Sequence, residues 1–173
     1  MSNGPIPLHV EPRKLVDRGI SFSGELPLSK FKRLDGLLTN TAGAVRVNVA
    51  FERDVQKHPL IKLELNTDVP MICQRCLEEV AIPVGGRYDY VVVREGANTD
   101  ELPSSYEIVE LGDEPLDLLA LIEDELLLCL PVVPMHPQDE CRHPSGFVET
   151  ELEESARPSP FSVLAQLKPD AKP

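Results

Sequence analysis

This chain has no tryptophan and few aromatic residues of any kind: three tyrosines and five phenylalanines in 173 residues. A core without large rings has to be filled by Leu, Val and Ile. The 42% hydrophobic and 27% charged residues are ordinary for a globular domain. Basic residues are also scarce. Seventeen lysines and arginines face 29 aspartates and glutamates, for a formal net charge of −12. Such a surface repels phosphate, which argues against broad, non-specific nucleic-acid binding and favours docking onto a basic protein surface. No apolar run approaches about 18 residues, so no membrane-spanning helix is expected. The opening MSNGPIPLHVEPRK has neither the apolar centre of a secretory signal nor the Arg/Ser richness of a transit peptide. The expectation is a cytoplasmic protein whose thiols are reduced and available to metal.

Four cysteines are present, and three of them sit in two short segments. In MICQRCLEEV, Cys73 and Cys76 form a C-x-x-C pair, a spacing at which one turn of backbone aims both sulfurs at a single ion. HPQDECRH supplies His136, Cys141 and His143. Cys73, Cys76 and Cys141 with one histidine, His136 in the first instance, would make a Cys3His zinc set that is structural rather than catalytic. Such a clip would restrain loops that the sparse aromatics cannot hold. A thioredoxin-like redox pair is the alternative. It requires a helix after the second cysteine, whereas LEEVAIPV reads as strand. Reduced cysteines without metal are the third reading. Cys129 reads as a core thiol.

Alternation marks the strands. Val45, Val47, Val49 and Phe51 point one way and Arg46 and Asn48 the other; Ile61, Leu63 and Leu65 repeat the pattern. Shorter strands are expected at 6–10, 20–26 and 106–111. Residues 80–94 read as strand on both sides of Gly85-Gly86, which marks a tight turn or a bulge. A short helix is expected after Ser29, with Phe31, Leu34 and Leu38 on one face. The main helix is expected over 117–130, capped by Asp117 and stopped by Pro131. The fold class is α+β: an antiparallel sheet packed against one main helix, with a small N-terminal helix and a C-terminal tail helix. One domain covers 1–148. Residues 149–173 form an acidic linker and a docking segment, with Phe161, Leu164 and Leu167 as its apolar face.

Two further features bear on function. Glu125 falls on the apolar face of the main helix, between Leu118, Leu121 and Cys129. It is either a buried carboxylate held by an arginine or backbone amides, or a contact for a partner entering a groove. Lys30, Lys32 and Arg33, with Arg75, are the positions from which direct RNA contact would come; a solvated helix face is the plainer reading. No Ser–His–Asp grouping, Gly-rich phosphate loop or HExxH motif is present.

CQRC, the stretch DLLALIEDELLLCLPVVPMH, Cys141 and the tail PFSVLAQLK together resemble the bacterial YceD family, over nearly the whole chain. The helix with its LPVVPMH exit is the specific part. The resemblance implies a non-enzymatic cytoplasmic factor for accumulation of large-subunit (23S) ribosomal RNA. Its partners would be ribosomal proteins or RNA-processing factors of the large subunit.

Overall fold

The structure is a computed structural model that describes residues 6–141, apart from 101, 105 and 139. The expectations for His143 and for residues 149–173, including Phe161, Leu164 and Leu167, lie outside the described residues.

The framework is a five-stranded sheet in the order β2-β3-β4-β5-β6, made of Ser21–Pro27, Ala44–Arg53, Pro59–Ile72, Glu79–Arg94 and Glu107–Leu111. A small second sheet pairs β1 (His9–Val10) with β7 (Leu116–Asp117). The alternation in the sequence becomes the core face: Val47 pairs with Leu65, Val49 with Leu63 and Phe51 with Ile61, all of them buried. Phe22 of β2 meets Phe51 edge to face, with ring centroids 6.3 Å apart.

Helix α2 (Leu118–Cys129) covers this face with Leu118, Ile122 and Leu126, four residues apart and fully buried. Asp117 caps it, its side chain accepting from the Ala120 N–H at 3.0 Å. The chain leaves helical geometry at Leu130, just before Pro131. The core is mostly aliphatic, as the shortage of rings requires, with Phe31 and Phe51 fully buried in it.

Three expectations need correction. The sheet is mixed: β6 runs parallel to β5. The connecting residues 95–106 are about as long as the shortest crossover between parallel strands, which a hairpin reading overlooks. The segment after Ser29 forms two 3-10 turns, Leu28–Lys30 and Lys32–Leu34, in place of an α-helix. Leu28, Phe31 and Leu34 stand at three-residue spacing, the period of a 3-10 turn, and all three are buried. The small N-terminal α-helix lies earlier, as α1 (Pro12–Arg18). Pro12 at its start and Gly19, left-handed at φ 60° just past its end, bracket it.

Gly85-Gly86 forms neither a turn nor a bulge. Pairing of β4 with β5 runs unbroken through Asn66–Gly85 and Leu65–Gly86. The two glycines answer to space instead. A Cβ on Gly85 would lie 2.2 Å from the Leu65 carbonyl oxygen, and one on Gly86 would lie 2.6 Å from the Tyr88 hydroxyl. The β4–β5 hairpin turn, residues 73–78, holds the C-x-x-C pair.

Candidate metal centre

Cys73 is the first residue past β4, and Cys76 lies three residues before β5 begins at Glu79. The turn closes through the Leu77 N–H on the Cys73 carbonyl and the Cys73 N–H on the Glu78 carbonyl, each 2.9 Å. Leu77 adopts a left-handed conformation, φ 62°, to make that closure. A strand follows the pair. The helix N-terminus on which a thioredoxin-like cysteine depends is therefore missing here.

The second half of the cluster arrives from beyond α2. The segment 131–137 leaves the helix through Pro131, Pro134 and Pro137 and runs back to the hairpin turn. There the Gln74 N–H donates to the Pro134 carbonyl at 2.9 Å. His136 and Cys141 are delivered to the two thiols.

One ligand atom from each of Cys73, Cys76, His136 and Cys141 lies within 4.8 Å of the others. Cys73 Sγ and Cys141 Sγ are 3.9 Å apart, and Cys76 Sγ is 3.3 Å from His136 Nδ1. A tetrahedron with bonds of about 2.3 Å to sulfur has edges of about 3.8 Å. The spacing suits a shared ion and is too long for a disulfide. The donor set, three thiols and one imidazole, is what a closed, structural metal site uses.

The surroundings favour that use. His136 Nε2 lies 3.1 Å from the Glu79 carbonyl oxygen, which accepts its proton and leaves Nδ1 free to ligate. Burial opposes ionisation of Cys73. The backbone N–H groups of Cys76, His136 and Arg75 nevertheless pull its thiol down to about 5, aided by the His136 side chain. Cys76 moves the other way. The Glu78 backbone N–H draws its thiol down, but burial and the neighbouring Cys73 and Cys141 sulfurs push it up. Cys73 and Cys141 are buried, and Cys76 and His136 are half-buried.

One member of the site was not anticipated from sequence. Arg75, between the two cysteines, donates from Nε to Cys141 Sγ at 2.9 Å and from its guanidinium to the His136 carbonyl at 3.1 Å. Three thiolates around a divalent ion leave a net negative charge, which this guanidinium offsets. Arg75 is thus committed to the cluster. Arg33 is likewise engaged. Its guanidinium pairs with Asp124 of α2, and its backbone N–H donates to Glu123 at 2.7 Å.

A family model described as Large ribosomal RNA subunit accumulation protein YceD matches residues 61–168, a span that contains all four candidate ligands. A protein of Haemophilus influenzae (strain ATCC 51907 / DSM 11121 / KW20 / Rd), named Large ribosomal RNA subunit accumulation protein YceD, is 33% identical over 174 residues. The match covers 97% of this chain and 99% of that one. This chain belongs to the YceD family. No solved structure matches it.

In this YceD-family chain, two other positions singled out from sequence lie away from the cluster. Glu125 is buried and accepts a hydrogen bond from the Tyr90 hydroxyl of β5. Its partner is a tyrosine, where an arginine or backbone amides were expected. Cys129 is half-buried, its Sγ 2.7 Å from the Tyr88 hydroxyl.

Proposed function

We propose that this protein is a non-enzymatic, cytoplasmic factor for accumulation of large-subunit (23S) ribosomal RNA, working in ribosome assembly through protein partners. The observation that carries the reading is the 33% identity, over 97% of this chain, with a protein named for that role. The charge of −12 supports contact with basic ribosomal proteins or RNA-processing factors over direct contact with RNA. So does the engagement of Arg33 and Arg75 within the fold. No helix among the described residues is long and apolar enough to cross a membrane. Phe161, Leu164 and Leu167 act in this reading as one partner contact.

Zinc is the metal that best suits the cluster. Cys73, Cys76, His136 and Cys141 would hold it, and it would supply a cross-link between the hairpin turn and the chain beyond α2. A redox role for Cys73 and Cys76 is disfavoured: Cys73 is fully buried and a strand follows the pair.

The test is the ratio of large- to small-subunit ribosomal RNA in cells that lack the protein, with complementation. We expect a low ratio, restored by the wild type but not by Cys73→Ser with Cys76→Ser. The purified wild type should carry one zinc per chain by mass spectrometry. An unchanged ratio in the deletion strain would overturn the role.

A further inference from the structure

The 131–137 strap does more than deliver His136. As it leaves α2 it lines an open hollow of about 540 Å³ together with Leu37, Ile72, Leu127 of α2 and Leu130 just past the helix end. Val132, on the strap's wall of this hollow, is 97% exposed, and Leu37 and Ile72 are also solvent-exposed. On the strap's other side, Val133 and Met135, again exposed, line a second hollow of about 490 Å³ against β5. Large aliphatic side chains gathered in this way at a concave surface mark a binding site.

The rim gives the occupant its charge. No lysine or arginine lines the larger hollow. Asp35 precedes the lining Gly36 and is exposed; Glu79 stands opposite Ile72 in the β4–β5 register and is exposed. Neither has a salt-bridge partner among the described residues. Among the described residues, the Glu79 carboxylate is hydrogen-bonded only by the neutral side chains of Thr39 and Asn40. An apolar floor with unneutralised carboxylates at its edge suits a segment with apolar anchors flanked by lysine or arginine.

The wall itself depends on the metal centre. Residues 131–137 belong to no helix or strand. They are held to the hairpin turn by the Gln74 N–H on Pro134, the His136 N–H on Cys73 Sγ at 3.4 Å, and Arg75 on His136. We infer that the hollow bounded by Leu37, Ile72 and Val132 is a docking groove for a basic, amphipathic segment of a protein partner, and that the metal centre holds one of its walls in place. The inference rests on the large-subunit role proposed above and names the surface through which that role is exercised.

The experiment uses the full-length, metal-loaded protein. The probe is the total protein extracted from purified large ribosomal subunits, with deproteinised ribosomal RNA in a parallel arm. The wild type retains one or a few basic proteins, identified by mass spectrometry. Val132→Asp and Leu37→Asp weaken that retention about 10-fold or more, the loss expected for one buried aliphatic anchor. Both variants add negative charge, so a weakening cannot come from reduced long-range attraction. Ile108→Asp, at an exposed position on β6, binds as wild type. Chelation of the metal weakens binding with Val132 intact.

Three results would overturn the groove. The two aspartate variants could bind as wild type. RNA alone could be retained. Sedimentation could show a wild-type dimer that Val132→Asp dissociates, which would make a second copy the occupant. The rRNA ratio in the deletion strain is independent of all three, so failure of the groove and failure of the role are distinguishable.

Discussion

At the scale of single residues, the polar groups inside this molecule are held by few and specific partners. Burial pushes the Glu125 carboxyl above its usual range. The Tyr90 hydroxyl pulls it down, while the charges of Glu107 and Asp124 push it further up. A raised folded-state value means that the native chain holds the proton more tightly than the unfolded one. The associated stability is fully present below the ordinary value near 4.5 and is lost as pH climbs through the raised value. Glu125→Gln keeps an acceptor for Tyr90 without the charge, so its stability should gain on wild type from pH 4 to pH 8 in denaturant titrations. Tyr90→Phe removes the donor and should cost about 1–3 kcal/mol at neutral pH. Arg75→Met should leave the four ligands in place and speed metal release to a chromophoric chelator about 10-fold or more, as loss of an outer-shell partner does. Release at the wild-type rate would show that the guanidinium is incidental.

At the scale of elements, the β4–β5 hairpin carries the site, and its two glycines have separable jobs. In Gly85→Ala the new methyl would run into backbone, the Leu65 carbonyl, at a position where φ is 156°. Neither strand can yield without breaking the ladder, and a loss of about 2–4 kcal/mol is expected. In Gly86→Ala the obstacle is the far end of the Tyr88 side chain, which can swing away. That change should cost about 1 kcal/mol, chiefly through displacement of Tyr88 from Cys129 and α2. Thermal unfolding of the two variants side by side checks the ranking. Equal losses would mean that Tyr88 is as immovable as the backbone.

At the scale of the whole molecule, the candidate ligands tie together parts of the chain that the sheet leaves unjoined. Cys76 and His136 are 60 residues apart, and Cys73 and Cys141 are 68 apart. A metal there closes a long loop and binds only the folded arrangement, so it should add to stability by mass action. Stripping it with a strong chelator should lower the melting temperature by about 6–12 °C, equivalent to about 3 kcal/mol in a chain of this size. The apolar core of β3, β4 and α2 does not involve the cluster. Far-ultraviolet circular dichroism should therefore keep its strand signal while the strap loosens. An unchanged melting temperature would separate the thiols from any structural metal.

What the sequence determined alone was whatever a few neighbouring residues decide. Period-two alternation put Val47, Val49, Leu63 and Leu65 on one face because successive side chains of a strand must point to opposite sides. Asp117 and Pro131 set the ends of α2 through a hydrogen bond to Ala120 and a ring that cannot continue a helix. That a strand follows the Cys73–Cys76 pair was legible for the same reason: its pattern is local.

Tertiary structure decided the partnerships. The run 107–111 is an equally good strand in either direction; its parallel pairing with β5 depends on the path of residues 95–106. That Tyr90 faces Glu125, and that Arg75 turns inward to Cys141, follow from how α2 and the strap cross the sheet. His136 and Cys141 were recognisable as candidate donors by type, but only the returning chain sets them within 4.8 Å of Cys73 and Cys76. Local sterics and caps are encoded residue by residue. Contacts across 35 to 68 residues depend on the packing of the whole core.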